Sequence, residues 1–141
     1  MIMGLTYADI TLVNTIDIAD AKRGLMLPES IRTINVHALV DSGAMSLVIN
    51  KKIKEQLGLQ ILRTMEGELA DGSKATCEVA GPVGIRFKNR ETTCEAFVLN
   101  EANEVLLGVI PIEGMDVILD PIKEELILPP DRPNIARYYI K

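Results

Sequence analysis

The tetrapeptide Asp41-Ser42-Gly43-Ala44 stands at the end of an apolar alternating run, Ile34-Asn35-Val36-His37-Ala38-Leu39-Val40. Alternation puts Ile34, Val36, Ala38 and Val40 on one face of a strand. A strand ending in Asp-Ser-Gly delivers a carboxylate into a tight turn, which is what a water-activating site requires. Asp supplies the acid/base group, Ser a hydroxyl that donates or accepts, and Gly a turn without steric penalty. By itself the tripeptide is ordinary turn chemistry, so the weight falls on its surroundings.

A chain of 141 residues fits one domain and is long enough to bury a core. Its 48% apolar and 25% charged residues are the balance of an ordinary globular domain. A net charge of −5 argues against nucleic acid as a partner, since such proteins carry a basic patch or stripe. No membrane is expected either. The longest apolar stretch, Val105 to Ile112, is far too short for a span. The N-terminus lacks a basic n-region and Asp9 interrupts its apolar stretch, so no export signal is read and a cytoplasmic location follows by default. Cys77 and Cys94 have no metal-like spacing and read as buried thiols rather than a disulfide. No cofactor and no metal are expected.

No repeat or linker divides the chain, and strand signals dominate. Leu5 to Val13 reads as a strand. A turn or hairpin around Asn14 to Asp20 leads on to Gly24-Leu25-Met26-Leu27. Ile31 to Val40 and Leu47-Val48-Ile49 flank the Asp-Ser-Gly turn. A helix follows, capped by Asn50, with Ile53 and Leu57 one turn apart and Gly58 at its end. Ala70-Asp71-Gly72-Ser73 is a hairpin turn between Met65–Leu69 and Lys74–Val79. Val83 to Phe87 and Cys94 to Leu99 read as two strands joined at Asn89-Arg90. Val105-Leu106-Leu107-Gly108 is a buried strand ending in Gly, and a short helix fits Pro111 to Gly114. Val117–Leu119 and Leu126–Leu128 close the strand list. The tail from Pro129 reads as irregular up to Tyr138-Tyr139-Ile140. Many short strands with one mid-chain helix predict an all-β barrel.

The order of these pieces resembles a retropepsin-like aspartic protease subunit of the small single-domain bacterial and retroviral type. The resemblance rests on an apolar strand, Asp41-Ser42-Gly43-Ala44, a helix, a hairpin at Ala70-Asp71-Gly72, then Leu106-Leu107-Gly108 before a short helix. It covers about residues 31–128 of a single domain spanning 1–141. Residues 1–30 read as additional N-terminal strands and 129–141 as a tail.

What the resemblance implies is specific. The fold is a closed acid-protease-type β-barrel with one or two short helices, paired as a two-fold homodimer acting on peptide or protein substrates. The single Asp-Ser-Gly agrees, because a two-lobed monomer needs two such turns. Asp41 is the catalytic residue, facing the Asp41 of a second subunit across the two-fold axis. Two neighbouring carboxylates cannot both ionise cheaply and share a proton. Ser42, Gly43 and Ala44 brace the site, with the Ser42 hydroxyl bonding across the dimer where Thr is commoner. Ala70, Asp71, Gly72 and Ser73 form the tip of a flap over substrate; the plainer reading is a solvent hairpin without a gating role. Leu106, Leu107 and Gly108 are scaffold beneath the catalytic turn.

The chain departs from the retroviral pattern in one place. Those members follow the scaffold Gly with Arg, paired to an Asp shortly after the catalytic turn; here the positions are Val109 and Met45. A serine hydrolase is excluded as a rival. His37, the single histidine, lies four residues before Asp41, roughly 13 Å along a strand, and Ser42 is farther still. His37 reads as a satisfied or exposed strand histidine. The remaining rival is a retropepsin-like dimerisation or peptide-binding module with a weak or inactive site, since fold does not fix function.

Overall fold

The computed structural model describes residues 5–141. The described residues are mostly strand, with three short α-helices and one 3-10 turn, Pro28–Ser30. β1 (Tyr7–Asn14) pairs antiparallel with β2 (Thr33–Val40), Tyr7 opposite Leu39. β3 (Leu47–Ile49) leads into helix α2 (Lys51–Leu57), then into the long hairpin of β4 (Gln60–Glu68) and β5 (Lys74–Phe87). β6 (Arg90–Val98) returns alongside β5. β7 (Leu106–Leu107) inserts between β2 and β3, parallel to the first and antiparallel to the second. Sheet order is β1-β2-β7-β3-β6-β5-β4, and β1 also pairs with β5, so successive pairings return to their start.

The enclosed side is apolar. Leu12, Ala38, Leu47, Ile49, Leu57, Val83, Ile85, Ala96 and Leu107 are fully buried. Alternation accounts for β2: Ala38 and Val40 face the core while His37 and Leu39 face away. β3 is buried at all three positions because neighbours cover it on both sides. Removing a Leu such as Leu47 from water contributes about 2 kcal/mol.

Helix α2 forms as its sequence predicts. The Asn50 side chain accepts from the Ile53 N–H at 2.9 Å, Leu57 is buried, and Gly58 ends the helix at φ +63°. A helix α1 (Thr15–Lys22) replaces the turn or hairpin expected over Asn14 to Asp20, and Gly24–Leu27 are not a strand. Asn14 is the reason. Its Oδ1 accepts from the N–H groups of Ile16 and Asp17 at 3.0 and 3.1 Å, capping α1, while its Nδ2 donates to Leu57 O at 2.8 Å at the far end of α2. Asp17, buried, takes a two-pronged pair from Arg32 at 2.9 Å on each oxygen. The Arg32 guanidinium in turn lies where a side chain on Gly58 would be. The additional strands expected over 1–30 therefore reduce to β1; residues 1–4 of that range lie outside the described residues.

Two further boundaries differ. Lys74–Val79 and Val83–Phe87 belong to one strand, β5, with an irregularity between Ala80 and Val83. β4 starts at Gln60, since backbone pairing with β5 extends past the exposed Ile61 and Leu62. After α3 (Val109–Gly114), the strands β8 (Ile118–Asp120) and β9 (Glu125–Ile127) pair with each other. From Leu128 to Lys141 there is no regular structure, yet the tail is fastened. Asp116 accepts from Arg132 at 2.6 and 2.8 Å and from the Arg137 N–H at 3.0 Å. The buried Arg90 donates to the carbonyls of Arg132 and Asp116.

Candidate active site

Asp41 follows the last residue of β2, one step outside the core. Its N–H donates to Leu107 O at 2.9 Å, so β7 fixes where the turn leaves the sheet. The turn closes on itself: the Ala44 N–H donates to Asp41 O at 3.0 Å, and the Gly43 N–H to Asp41 Oδ1 at 2.8 Å. A side chain on Gly43 would begin 3.1 Å from that same Oδ1, so glycine keeps the carboxylate in place. Asp41 is half-buried; Ser42 and Gly43 are exposed. Among the described residues, Asp41 Oδ2 and the Ser42 hydroxyl have no hydrogen-bond partner.

The turn is buttressed by backbone. Val109 and Ile110 donate their N–H groups to the carbonyls of Ala44 and Met45, both at 2.9 Å. With Asp41 to Leu107, this makes three bonds between the Asp41 turn and the segment around Gly108. Two of them involve Met45 or Val109, the positions that lack the retroviral ion pair. Gly108 itself packs against Ala44 and Ser46 too closely for any side chain. Ser46, which the sequence reading did not single out, is buried and donates its hydroxyl to Glu95 O at 2.7 Å, tying the turn to β6. Nothing local marks it, because its partner is distant in sequence.

The scaffold residues divide. Leu107 is fully buried, whereas Leu106 is half-buried and sits beside Leu39 on the outer face. Alternation carries that face from His37 through Leu39 to Asp41. Behind the turn a cleft of about 230 Å³ is lined by Met45, Met65, Cys94, Phe97 and Ile110. Burial pushes the Cys94 thiol up to about 11 and raises that of Cys77, so neither is a thiolate nucleophile near neutrality. Both are free thiols.

Ala70, Asp71, Gly72 and Ser73 form the exposed tip of the β4–β5 hairpin. Leu69 N–H donates to Ser73 O at 2.7 Å and Gly72, at φ +85°, donates to Leu69 O at 2.9 Å. The Asp71 carboxylate accepts from the Ser73 hydroxyl and N–H, which lowers its pKa. All these bonds are internal; among the described residues none joins the tip to the Asp41 turn. His37, as expected, is satisfied on its strand: Nδ1 lies 2.8 Å from Asp9 Oδ1 and the ring stacks on Tyr7. No group of three or more metal-ligating side chains occurs among the described residues, and no described helix is long and apolar enough to cross a membrane.

No curated protein matches the chain. Among solved structures it is similar to the solution structure of a simian foamy virus (mac) protease, at 18% identity and a TM-score of 0.43, covering 56% of this chain and 81% of that one. The model of the family described as "gag-polyprotein putative aspartyl protease" matches residues 29–111, from ahead of β2 through the Asp41 turn and the hairpin into α3. That span exceeds half of the sequence, and the chain belongs to this family of retropepsin-like aspartyl proteases.

Proposed function

We propose that the chain is an aspartic endopeptidase working as a two-fold homodimer of closed acid-protease-type barrels. The observation that carries the reading is Asp41. It is one half-buried carboxylate at a strand end, held on one oxygen by Gly43 and open on the other. A single such turn per chain supplies half of a dyad, and two-fold pairing supplies the rest. The ring of strand pairings from β1 through β5 back to β1 supports the barrel.

In this reading the two Asp41 carboxylates share one proton. The ionised one takes a proton from a water between them as its oxygen attacks the peptide carbonyl carbon. The protonated one gives its proton to the carbonyl oxygen, leaving a neutral gem-diol. Proton transfer to the amide nitrogen then lets the C–N bond break, regenerating the shared-proton state. Ser42 braces one turn against the other, and the β4–β5 hairpin closes over the peptide. No covalent intermediate forms.

Asp41→Asn tests this. The amide is nearly isosteric but cannot act as base, so peptide hydrolysis is expected to vanish while circular dichroism is unchanged. Activity above about a tenth of the parent would place the catalytic group elsewhere. Sedimentation of the parent at micromolar concentration is expected to show a dimer; monomer alone counts against a shared site.

A further inference from the structure

One cluster of side chains shares the outer face of Asp41 without belonging to its turn. Tyr7 lies opposite Leu39, and Leu39 beside Leu106, giving a half-buried apolar strip next to the carboxylate. Farther from Asp41, the His37 ring stacks on Tyr7 with centroids 4.8 Å apart and planes 5° from parallel. The Tyr7 hydroxyl reaches across to donate to Glu104 Oε1 at 2.8 Å. This bond to the Glu104 carboxylate raises the Tyr7 pKa, keeping the phenol a donor. Glu104 is thus aimed by a ring that His37 holds in place, and His37 is itself engaged by Asp9. Among the described residues Glu104 forms no ion pair, and its Oε2 accepts no hydrogen bond.

Parallel pairing of Leu39 with Leu106 puts Glu104 level with His37, four residues from Asp41, or roughly 13 Å at about 3.3 Å per residue. In the endopeptidase reading, a substrate side chain beside the scissile bond that runs back from Asp41 along the Leu39–Leu106 strip ends at Glu104. A long cationic side chain suits that path: its methylene stem covers apolar surface while its head meets a carboxylate.

We propose that Glu104, positioned by Tyr7, is a specificity-determining residue that selects substrates with Lys or Arg next to the scissile bond. This rests on the endopeptidase reading for the cleavage, but recognition of the basic side chain is a separate property of the surface. The pair is partly exposed, so its effect is modest, about fivefold over an uncharged side chain of like length. It also weakens as salt rises.

The test has two arms. In the first, the parent digests a randomised peptide library with cleavage sites read by mass spectrometry. Matched peptides with Lys, Met or Glu beside the bond are then compared by kcat/KM. In the second, short alanine-based peptides with a central Lys, Met or Glu are titrated against the Asp41→Asn form by fluorescence anisotropy. The expected result is a Lys-to-Met ratio near five, falling to about one in Glu104→Gln and inverting toward Glu in Glu104→Lys. Cleavage without a basic preference, or a preference that survives Glu104→Gln, overturns the proposal and leaves the endopeptidase reading standing. Glu104-dependent Lys binding by a chain that cleaves nothing removes the endopeptidase reading and overturns the proposal as a cleavage specificity, leaving only a basic-side-chain binding site at Glu104. Neither binding preference nor cleavage overturns both.

Discussion

A side chain begun on Gly108 would stand 2.5 Å from the carbonyl oxygen of Ala44, and closer still to that of Ser46. The Gly108 backbone is extended, at φ −94° and ψ −172°, so glycine is required for space and not for conformation. Both obstructing atoms are backbone and cannot swing aside. Gly108→Ala must therefore push α3 away from the Asp41 turn, straining the Val109–Ala44 and Ile110–Met45 bonds. The expected outcome is a loss of about 1–3 kcal/mol in denaturant unfolding, the usual range for overpacking, with peptide hydrolysis lost disproportionately. Unchanged stability and activity would show that the segment yields freely.

The tail clamp predicts an acid limb in stability. The Arg132 guanidinium beside Asp116, helped by the Arg137 N–H and by Arg90, holds its carboxyl down at about 2, against an ordinary 3.8. The folded state thus binds this proton less readily than the unfolded chain. The stabilisation is fully present above pH 4, declines as pH falls towards 2, and is gone below it. It amounts to about 2 kcal/mol at most. Asp116→Asn should be less stable at neutral pH and show a flatter profile between pH 4 and 2. Denaturant midpoints measured across that window check both. An identical acid limb in the variant would assign it to other carboxylates.

How far the sequence carried the fold depended on whether the information was local. Helix α2 was legible because Asn50, Leu57 and Gly58 each act within one turn, and the Asp71-Gly72 hairpin for the same reason. Helix α1 was not. Ile16 and Ile18 are spaced two apart, which suits a strand, and the helix is held by contacts from Asn14 to Leu57 and from Asp17 to Arg32. The spacing Asn14-x-x-Asp17, a cap followed by an acid in the first turn, was the signal available. The Asp41 turn was legible as a motif, and Gly108 as part of a pattern. The cluster on the outer face was not, since Tyr7, His37 and Glu104 are brought together only by the β1–β2–β7 register. The Arg90–Asp116–Arg132 cluster spans 42 residues and left no local trace.

Ser42 is exposed, and in the homodimer reading its hydroxyl bonds across to the partner's turn. Ser42→Ala is expected to weaken the dimer, or the site within it, while leaving subunit unfolding nearly unchanged. A cross-subunit hydrogen bond whose partner stays buried costs about 1–3 kcal/mol to lose, roughly five- to a hundredfold in dimer dissociation. Sedimentation across a concentration series, alongside denaturant unfolding, separates the two effects. Equal dimer affinity in the two forms would remove Ser42 from the interface.

The final prediction concerns Ala44. Its backbone is committed, with its N–H to Asp41 O and its carbonyl to the Val109 N–H, so the position of its Cβ is fixed relative to the carboxylate. A methyl group there cannot donate. A serine hydroxyl in its place can, and a donor stabilises the anionic dyad over the protonated one. In the shared-dyad reading the change appears in the pH–rate profile of the pair and not of one residue. The parent, lacking that donor, should work best at mildly acidic to near-neutral pH, and Ala44→Ser should move the optimum lower. The sign follows because stabilising the anion lets the singly protonated state persist to lower pH. The measurement is a pH–rate profile of both forms on one peptide. An optimum that stays put or rises would refute the hydrogen-bond argument while leaving the role of Asp41 intact.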